Sequence, residues 1–100
     1  MKRIAFVGVF LVTFAGAAQA DAIKNACMGS ERAGANYALC GCIQDAANRT
    51  LTRSDQRLAA TFFNNPHRAQ EIRQSNRRSD EVFWERYRNF GNAAETFCRG

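Results

Sequence analysis

The sequence predicts a small all-α protein, a disulfide-stapled bundle of four or five helices, and three observations support this fold class. Helix-start signals and helically spaced apolar residues recur along the chain. No segment alternates apolar and polar residues with the β-branched enrichment of a strand. The four cysteines are an even number, which suits a domain too small to be stabilised by one hydrophobic core alone.

Residues 1–20 have the three-part pattern of a secretory signal peptide. Lys2 and Arg3 form a positive start, residues 4–18 are uncharged and mostly apolar, and residues 18–20 match an A-x-A cleavage site. The apolar run is shorter than the roughly 20 residues that span a bilayer, so we expect cleavage rather than a membrane anchor.

Residues 21–100 are then expected to form a single helical domain without a transmembrane span, in the periplasm or secreted from the cell. Removal of Lys2 and Arg3 leaves 12 basic side chains against 9 acidic ones, so the net charge falls from +5 to +3. In an oxidising compartment, the four cysteines are expected to form disulfides.

The first three helices are predicted from their start and stop signals. A short helix follows Asp21 as its cap and ends at residues 28–30. A second helix runs from about Ala33 to Thr50. The segment Thr52-Arg53-Ser54-Asp55 resembles a capping box with Asp in the last place, which begins the third helix.

The fourth helix follows a break at the only proline of the chain, Pro66. Asn65 as cap and Pro66 at the first helical position are typical of a helix start. Residues 75–78 are expected to form a polar connector.

The fifth helix is predicted to begin with Ser79 as its cap and Asp80 and Glu81 in its first turn. Gly91 bends this helix, or ends it and lets a short one follow. Its apolar stripe comprises Phe83, Tyr87, Phe90, Ala94, Phe97 and Cys98.

Helical geometry limits how the cysteines can pair. Cys40 and Cys42 lie about 160° apart around a regular second helix, so they cannot easily bond to each other. Helices packed on either side of it would supply Cys27 and Cys98. The pairs are either Cys27–Cys40 with Cys42–Cys98 or Cys27–Cys42 with Cys40–Cys98. We favour the first because its local loop is shortest.

No motif predicts catalysis, a cofactor or a metal site. Cys40 and Cys42 are the one candidate redox dithiol, but they fall inside a predicted helix, whereas reactive cysteines favour helix N-termini or nearby cations. The C-x-x-C spacing of zinc sites and the C-x-x-C-H of haem attachment are missing from the sequence. His67 is the only histidine and has no nucleophile pattern beside it. We therefore expect a protein that is not an enzyme.

Basic residues form the candidate binding surface. Eleven of the twelve cations in residues 21–100 are arginines, whose planar forks suit carboxylates and phosphates. An envelope protein or another anionic partner is the expected contact, whereas no nucleic-acid partner is expected because the net charge is small and export removes the usual target. If these arginines pair within the molecule instead, they form an ordinary solvated surface. The candidate surface comprises His67, Arg68, Arg73, Arg77, Arg78 and Trp84.

Aromatic neighbours offer a second possible surface. Phe62-Phe63 and Phe83-Trp84 each pair a residue on an apolar stripe with one that points elsewhere. We expect Trp84 and Phe63 to complete the core, and the alternative is an exposed aromatic binding patch.

Four segments carry a resemblance to a known group of proteins: residues 37–43 (YALCGCI), 54–57 (SDQR), 62–67 (FFNNPH) and 79–84 (SDEVFW). They resemble small exported, functionally uncharacterised four-cysteine proteins of marine and photosynthetic α-proteobacteria, some of which carry the label "arginine transporter". The resemblance implies the periplasm as the compartment. A chain with no membrane span after cleavage forms no permeation path, so the label would apply only as an accessory role.

The leading hypothesis is thus a non-catalytic interaction or binding module. One alternative is an accessory component of arginine or amino-acid transport. The other is a thiol-disulfide redox protein that uses Cys40 and Cys42. The sequence leaves the partner and the oligomeric state open.

Overall fold

The computed structural model describes Gly8, residues 21–30 and residues 34–99, and these residues fold into helices and connecting turns without a strand. Except for Gly8, the predicted signal peptide lies outside the described residues. The all-α prediction is confirmed. The five helices of the described residues are α1 (Ala22–Gly29), α2 (Tyr37–Thr50), α3 (Arg53–Thr61), α4 (Pro66–Gln74) and α5 (Arg78–Phe97).

The starts of α3 and α4 are those that the sequence predicts. The Thr52 hydroxyl accepts a hydrogen bond from the Asp55 N–H at 3.0 Å, and the Asp55 carboxylate accepts one from the Thr52 N–H at 3.1 Å. This reciprocal pair is a complete capping box. Pro66 occupies the first turn of α4, where its missing N–H leaves no helical hydrogen bond unmade.

The predicted start of α2 near Ala33 is wrong, because the helix begins at Tyr37. The Asn36 side chain accepts a hydrogen bond from the Leu39 N–H at 2.8 Å and so caps the helix. Gly34 has a φ of +88°, outside the right-handed helical region, which keeps the helix from extending further back. Ala33 itself lies outside the described residues.

The predicted cap of α5 is also wrong. The helix begins at Arg78, and Ser79 lies within its first turn. Arg77 takes the cap position without a side-chain cap hydrogen bond. The hydroxyl of Ser75 accepts from the Arg77 N–H at 3.1 Å instead, so the connector itself sets the entry of the chain.

Gly91 neither ends nor divides α5, which is continuous over 20 residues. Glycine in a helix interior costs about 1 kcal/mol relative to alanine. Here Phe83 and Phe90 are both buried on one face of α5, and their packing outweighs that cost.

The core lies where α2 packs against α1 and α5, with α3 closing on α1 and α4 on α5. Aromatic rings from α5 and from Phe62, the residue that follows α3, fill its centre. Phe62 meets Phe83 edge to face with ring centroids 6.0 Å apart, and meets Tyr87 at 5.3 Å. The buried apolar cluster comprises Ile23, Ala46, Ala47, Leu51, Ala59, Phe62, Ile72, Phe83 and Phe90.

Two buried glutamines join the first three helices. The Gln44 side chain donates through Nε2 to Oε1 of Gln56 at 2.8 Å, and its own Oε1 accepts from the backbone N–H of Lys24 at 2.9 Å. No buried side-chain nitrogen or oxygen of the described residues lacks a partner. This satisfied polar network fixes the register of α1, α2 and α3.

Candidate functional site

Both disulfides have the pairing that the sequence favours. Cys27 bonds to Cys40, and Cys42 bonds to Cys98. The prediction that Cys40 and Cys42 do not bond to each other is confirmed, because each lies in a different bridge on its own side of α2. None of the four cysteines is a free thiol.

The two bridges differ in exposure. Cys27 is 4% exposed and Cys40 is 0% exposed, so this bridge lies inside the protein between α1 and α2. Cys42 and Cys98 are both only half-buried and border open depressions of the surface. A sequence alone gives no signal for this difference.

The predicted basic surface is exposed in the structure. His67, Arg68, Arg73, Arg77 and Arg78 all face solvent. We call residues 67–78 the basic edge. It contains four arginines and one glutamate, a net +3 that equals the net charge of residues 21–100.

Internal pairing neutralises little of the basic edge. Arg68 lies 4.0 Å from the carboxylate of Glu71, at the limit of an ion pair between two half-exposed side chains, and such pairs contribute little. Among the described residues, no carboxylate lies within ion-pair distance of Arg73, Arg77 or Arg78. Three of its four arginines therefore retain their full donor capacity.

The basic edge is elongated rather than pocket-shaped. Ala69 and Ile72 turn toward the core, and Arg68 and Arg73 leave α4 on opposite flanks of that stripe, about 140° apart. Arg77 and Arg78 follow at the start of α5, whose first turn also contains Asp80 and Glu81. Such a surface fits an extended anionic partner better than one small anion.

Trp84 does not belong to the basic edge. It is half-buried, packs against the core, and its ring centroid lies 5.0 Å from that of Tyr87. Phe63 also packs against the core. The expectation that both aromatics complete the core is confirmed.

Two other aromatics are exposed instead, Tyr37 and Phe97, each at 69%. The prediction that Phe97 belongs to the apolar stripe of α5 is wrong, because its side chain is exposed. The reason is that α5 extends past its aromatic neighbours: beyond Phe90 its inner face presents only Ala93 and Ala94 to the core. The Lys24 ammonium lies 3.7 Å from the Tyr37 ring centroid.

Three depressions adjoin at the exposed disulfide, and Cys42 lines each of them. The first has a volume of about 600 Å³ and is also lined by Leu39, Phe97 and Cys98. The second has a volume of about 420 Å³ and the third of about 150 Å³, and Asp45 lines both of them. We call the surface around Cys42, Phe97 and Cys98 the disulfide end.

Two carboxylates reach the second depression. Asp21 and Asp45 line it together with Tyr37 and Lys24. The described residues contain no group of three His, Cys, Asp or Glu side chains placed to hold a metal ion. The chemistry available here is therefore that of two carboxylates and one aromatic ring, with one lysine already over the ring.

One ion pair of the described residues is not indicated by the sequence. Arg86 donates through Nε to Asp55 Oδ2 at 2.6 Å and through Nη2 to Oδ1 at 2.9 Å, a bidentate pair. Burial alone would raise the pKa of Asp55, but the Arg86 guanidinium and the Thr52 N–H hold that pKa below its usual value. The same hydrogen bonds to Asp55 raise the pKa of Arg86.

This pair has a structural role in the folded chain. It joins α3 to the middle of α5 across 31 residues of sequence. The only local signal at Asp55 is its capping box, which gives no indication of Arg86.

In comparisons with known proteins, no family model, no curated protein and no solved structure matches this chain. Among the described residues, no helix combines the length and the apolar character that crossing a membrane requires.

Proposed function

We propose that this small disulfide-bonded helical protein is an exported, non-catalytic interaction module that binds an anionic partner of the cell envelope through its basic edge. The observation that carries the proposal is the exposure of Arg73, Arg77 and Arg78, none of which has a carboxylate partner among the described residues. Exposed arginines keep all their donors available for carboxylates or phosphates of a partner.

The fold supports this use of the segment. Ile72 is 6% exposed and anchors α4 to the core, so the arginines extend from a packed helix and its short connector. A surface held in this way loses less conformational entropy on binding than a disordered basic tail would. Its charge is also concentrated in 12 residues rather than spread over the chain, which favours attraction of an acidic surface.

Export to the periplasm is part of the proposal. The two disulfides support an oxidising compartment. The resemblance to small exported proteins of α-proteobacteria supports it as well. Amino-terminal sequencing of the protein isolated from the periplasm is expected to begin at Asp21, and recovery in the cytoplasm with Met1 intact would contradict export.

Site-specific crosslinking in cells tests the proposed surface. A photoreactive phenylalanine derivative replaces Asn76, which is exposed and lies between Arg73 and Arg77. The same derivative at Asn92, exposed on α5, serves as the positional control. Irradiation is expected to give a defined covalent adduct from position 76 but not from position 92.

A matched pair of triple variants makes the test specific for the basic edge. Arg73→Gln, Arg77→Gln and Arg78→Gln together should reduce the adduct at least about fivefold. The control replaces Arg49, Arg53 and Arg88, which are exposed outside the basic edge. It therefore removes the same number of positive charges from a different part of the surface. The proposal is wrong if both triples weaken the adduct equally, or if neither does while all variants stay folded.

A second candidate function is binding of a small cationic ligand, as in an accessory role in arginine or amino-acid transport. The observation that favours it is the depression lined by Asp21, Asp45 and Tyr37, since two carboxylates and a ring are suitable contacts for a guanidinium. Lys24 competes for that ring from within the protein. Titration calorimetry with arginine, compared between the native chain and Asp45→Asn, tests this function, and absence of heat at millimolar arginine would exclude it.

A further inference from the structure

We propose that the Cys42–Cys98 disulfide is a thiol-exchange site, opened by a dithiol reductant while Cys27–Cys40 stays intact, and that its opening releases the C-terminal turns of α5. The site is a different cysteine pair from a Cys40–Cys42 dithiol, and the inference is independent of the basic edge. It follows from two observations, the unequal access to the two bridges and the weak anchoring of the end of α5.

Access to the bridges differs because of their positions in the fold. A thiolate must reach a sulfur directly to exchange with a disulfide. Cys27 and Cys40 are 4% and 0% exposed, which blocks that approach. Cys42 and Cys98 are half-buried and line a depression of about 600 Å³, a space that admits a small thiol or the exposed cysteine of a partner.

The local charge also favours approach to Cys98. Arg99 lines the same depression beside it, and a guanidinium attracts an incoming thiolate. Phe97 is exposed rather than folded over the bridge. We therefore assign Cys98 as the sulfur that is attacked.

The end of α5 depends on this bridge for its position. Phe90 is the last large side chain of α5 that is buried, and Ala93 and Ala94 are the only later residues of the helix that pack against the core. Two small, partly buried side chains stabilise a helix end weakly. Once Cys42 and Cys98 separate, residues 92–98 are held against α2 by the packing of Ala93 and Ala94 and by a 3.4 Å contact between Cys42 Sγ and the Phe97 carbonyl oxygen.

The exchange transfers the disulfide from the protein to the dithiol reductant. A thiolate of the dithiol bonds to the Cys98 sulfur, the bond between the Cys98 and Cys42 sulfurs breaks, and Cys42 leaves as a thiolate. The second thiol of the reductant, as its thiolate, then attacks the reductant sulfur of the mixed disulfide and releases Cys98. The protein gains two electrons and two protons as two thiols, and the dithiol is oxidised to a disulfide.

Time-resolved thiol labelling of the oxidised protein tests the order of reduction. Dithiothreitol is the probe, free thiols are alkylated at each time point, and mass spectrometry assigns the labelled cysteines. Cys42 and Cys98 should react at least about tenfold faster than Cys27 and Cys40. With glutathione as a monothiol probe, the mixed disulfide should map to Cys98.

Hydrogen exchange tests the release of the helix end. In the oxidised protein, the Cys98 N–H is hydrogen-bonded to the Ala94 carbonyl oxygen at 2.8 Å. After selective reduction, amides of residues 92–98 should exchange at least about tenfold faster, whereas those of residues 83–90 should stay protected. The Cys42→Ala/Cys98→Ala variant should show the fast pattern without reductant.

Three results would overturn the proposal: simultaneous opening of the bridges, earlier opening of Cys27–Cys40, or continued protection of residues 92–98 after Cys42–Cys98 is reduced. A glutathione adduct on Cys27 or Cys40 would overturn it as well. The labelling experiment uses only the native sequence, so it decides the question even if a cysteine variant does not fold.

Discussion

Replacing Arg86 by glutamine should destabilise the fold by removing the partner of a buried carboxylate. Asp55 is 8% exposed at its side chain and Arg86 is 38% exposed. In Arg86→Gln, the carboxylate keeps its capping bond to Thr52 but loses the bidentate guanidinium, and it stays buried. A buried charge without its counterion is costly because the protein interior does not replace the lost hydration.

The expected loss of unfolding free energy is about 2 kcal/mol. Hydrogen bonds to charged groups contribute about 1.5–3 kcal/mol each, and breaking a fully buried pair costs about 3–5 kcal/mol. The lower figure applies because Arg86 is more than one-third exposed, so solvent screens its attraction to Asp55. With a urea m-value of about 1 kcal/mol per molar, the unfolding midpoint should fall by about 2 M.

Urea unfolding of the native chain, Arg86→Gln, Asp55→Asn and the double variant measures the coupling of the pair. We expect a coupling energy of about 1–2 kcal/mol. Arg88→Gln is the matched control, since Arg88 is exposed on the same helix and forms no ion pair among the described residues; it should cost less than about 0.5 kcal/mol. A coupling below about 0.3 kcal/mol would refute the role assigned to the pair.

The pH dependence of stability tests the same ion pair, and the direction of the change follows from the pKa of Asp55. The pKa of Asp55 is lowered in the folded protein, so its stabilising contribution is complete above its usual pKa of about 3.9 and is lost as the pH falls through the lower folded value. In Arg86→Gln, the guanidinium no longer lowers the pKa of Asp55, so burial raises that pKa relative to the native protein while the Thr52 N–H still lowers it. Protonation then relieves the buried charge, so the stability difference between the two proteins should narrow from pH 6 toward pH 3. A constant difference over that range would contradict the reasoning.

Three further changes test the packing. Phe62→Ala removes a ring that is 5% exposed and contacts two other aromatic rings, and it should cost about 3–5 kcal/mol in urea unfolding; a loss below about 1 kcal/mol would contradict its central position. Gly91→Ala places a methyl group in open space inside α5 and should stabilise by up to about 1 kcal/mol, seen as a higher melting temperature; a lower one would mean that α5 is not regular there. Gln56→Leu leaves Gln44 without one buried acceptor and should cost about 1–3 kcal/mol, whereas no change would show that the network contributes nothing.

Local features of the fold could be predicted because their signals act within a few residues. The capping box at Thr52 and the proline start of α4 depend only on adjacent side chains and backbone groups. Cys40 and Cys42 lie two residues apart in one helix, so their side chains leave it on nearly opposite sides. This geometry made it predictable that they bond to different cysteines. The start of α2 was missed because Asn36 and Gly34 act together there, and the apolar pattern does not show it.

The candidate site was predicted in part, for a physical reason. The arginines of the basic edge are exposed, and their density in 12 residues is visible in the sequence, whereas their role in binding stays a prediction. Phe97 was placed wrongly because periodicity tells which face of α5 a residue occupies but not where the neighbouring helix stops. No sequence pattern therefore indicates that the disulfide end is an exposed surface.

By itself, the sequence determined that the chain forms helices, where α3 and α4 begin, which cysteines could not pair, and where the positive charge concentrates. Only the tertiary structure decided that Arg86 is the arginine that Asp55 binds, that Cys27–Cys40 is buried, and that Cys42–Cys98 is open to solvent. The physical reason is the distance along the chain over which each interaction acts. Helix propensity and capping act over about four residues, whereas burial and ion pairing depend on which helices meet and how far each extends past the other.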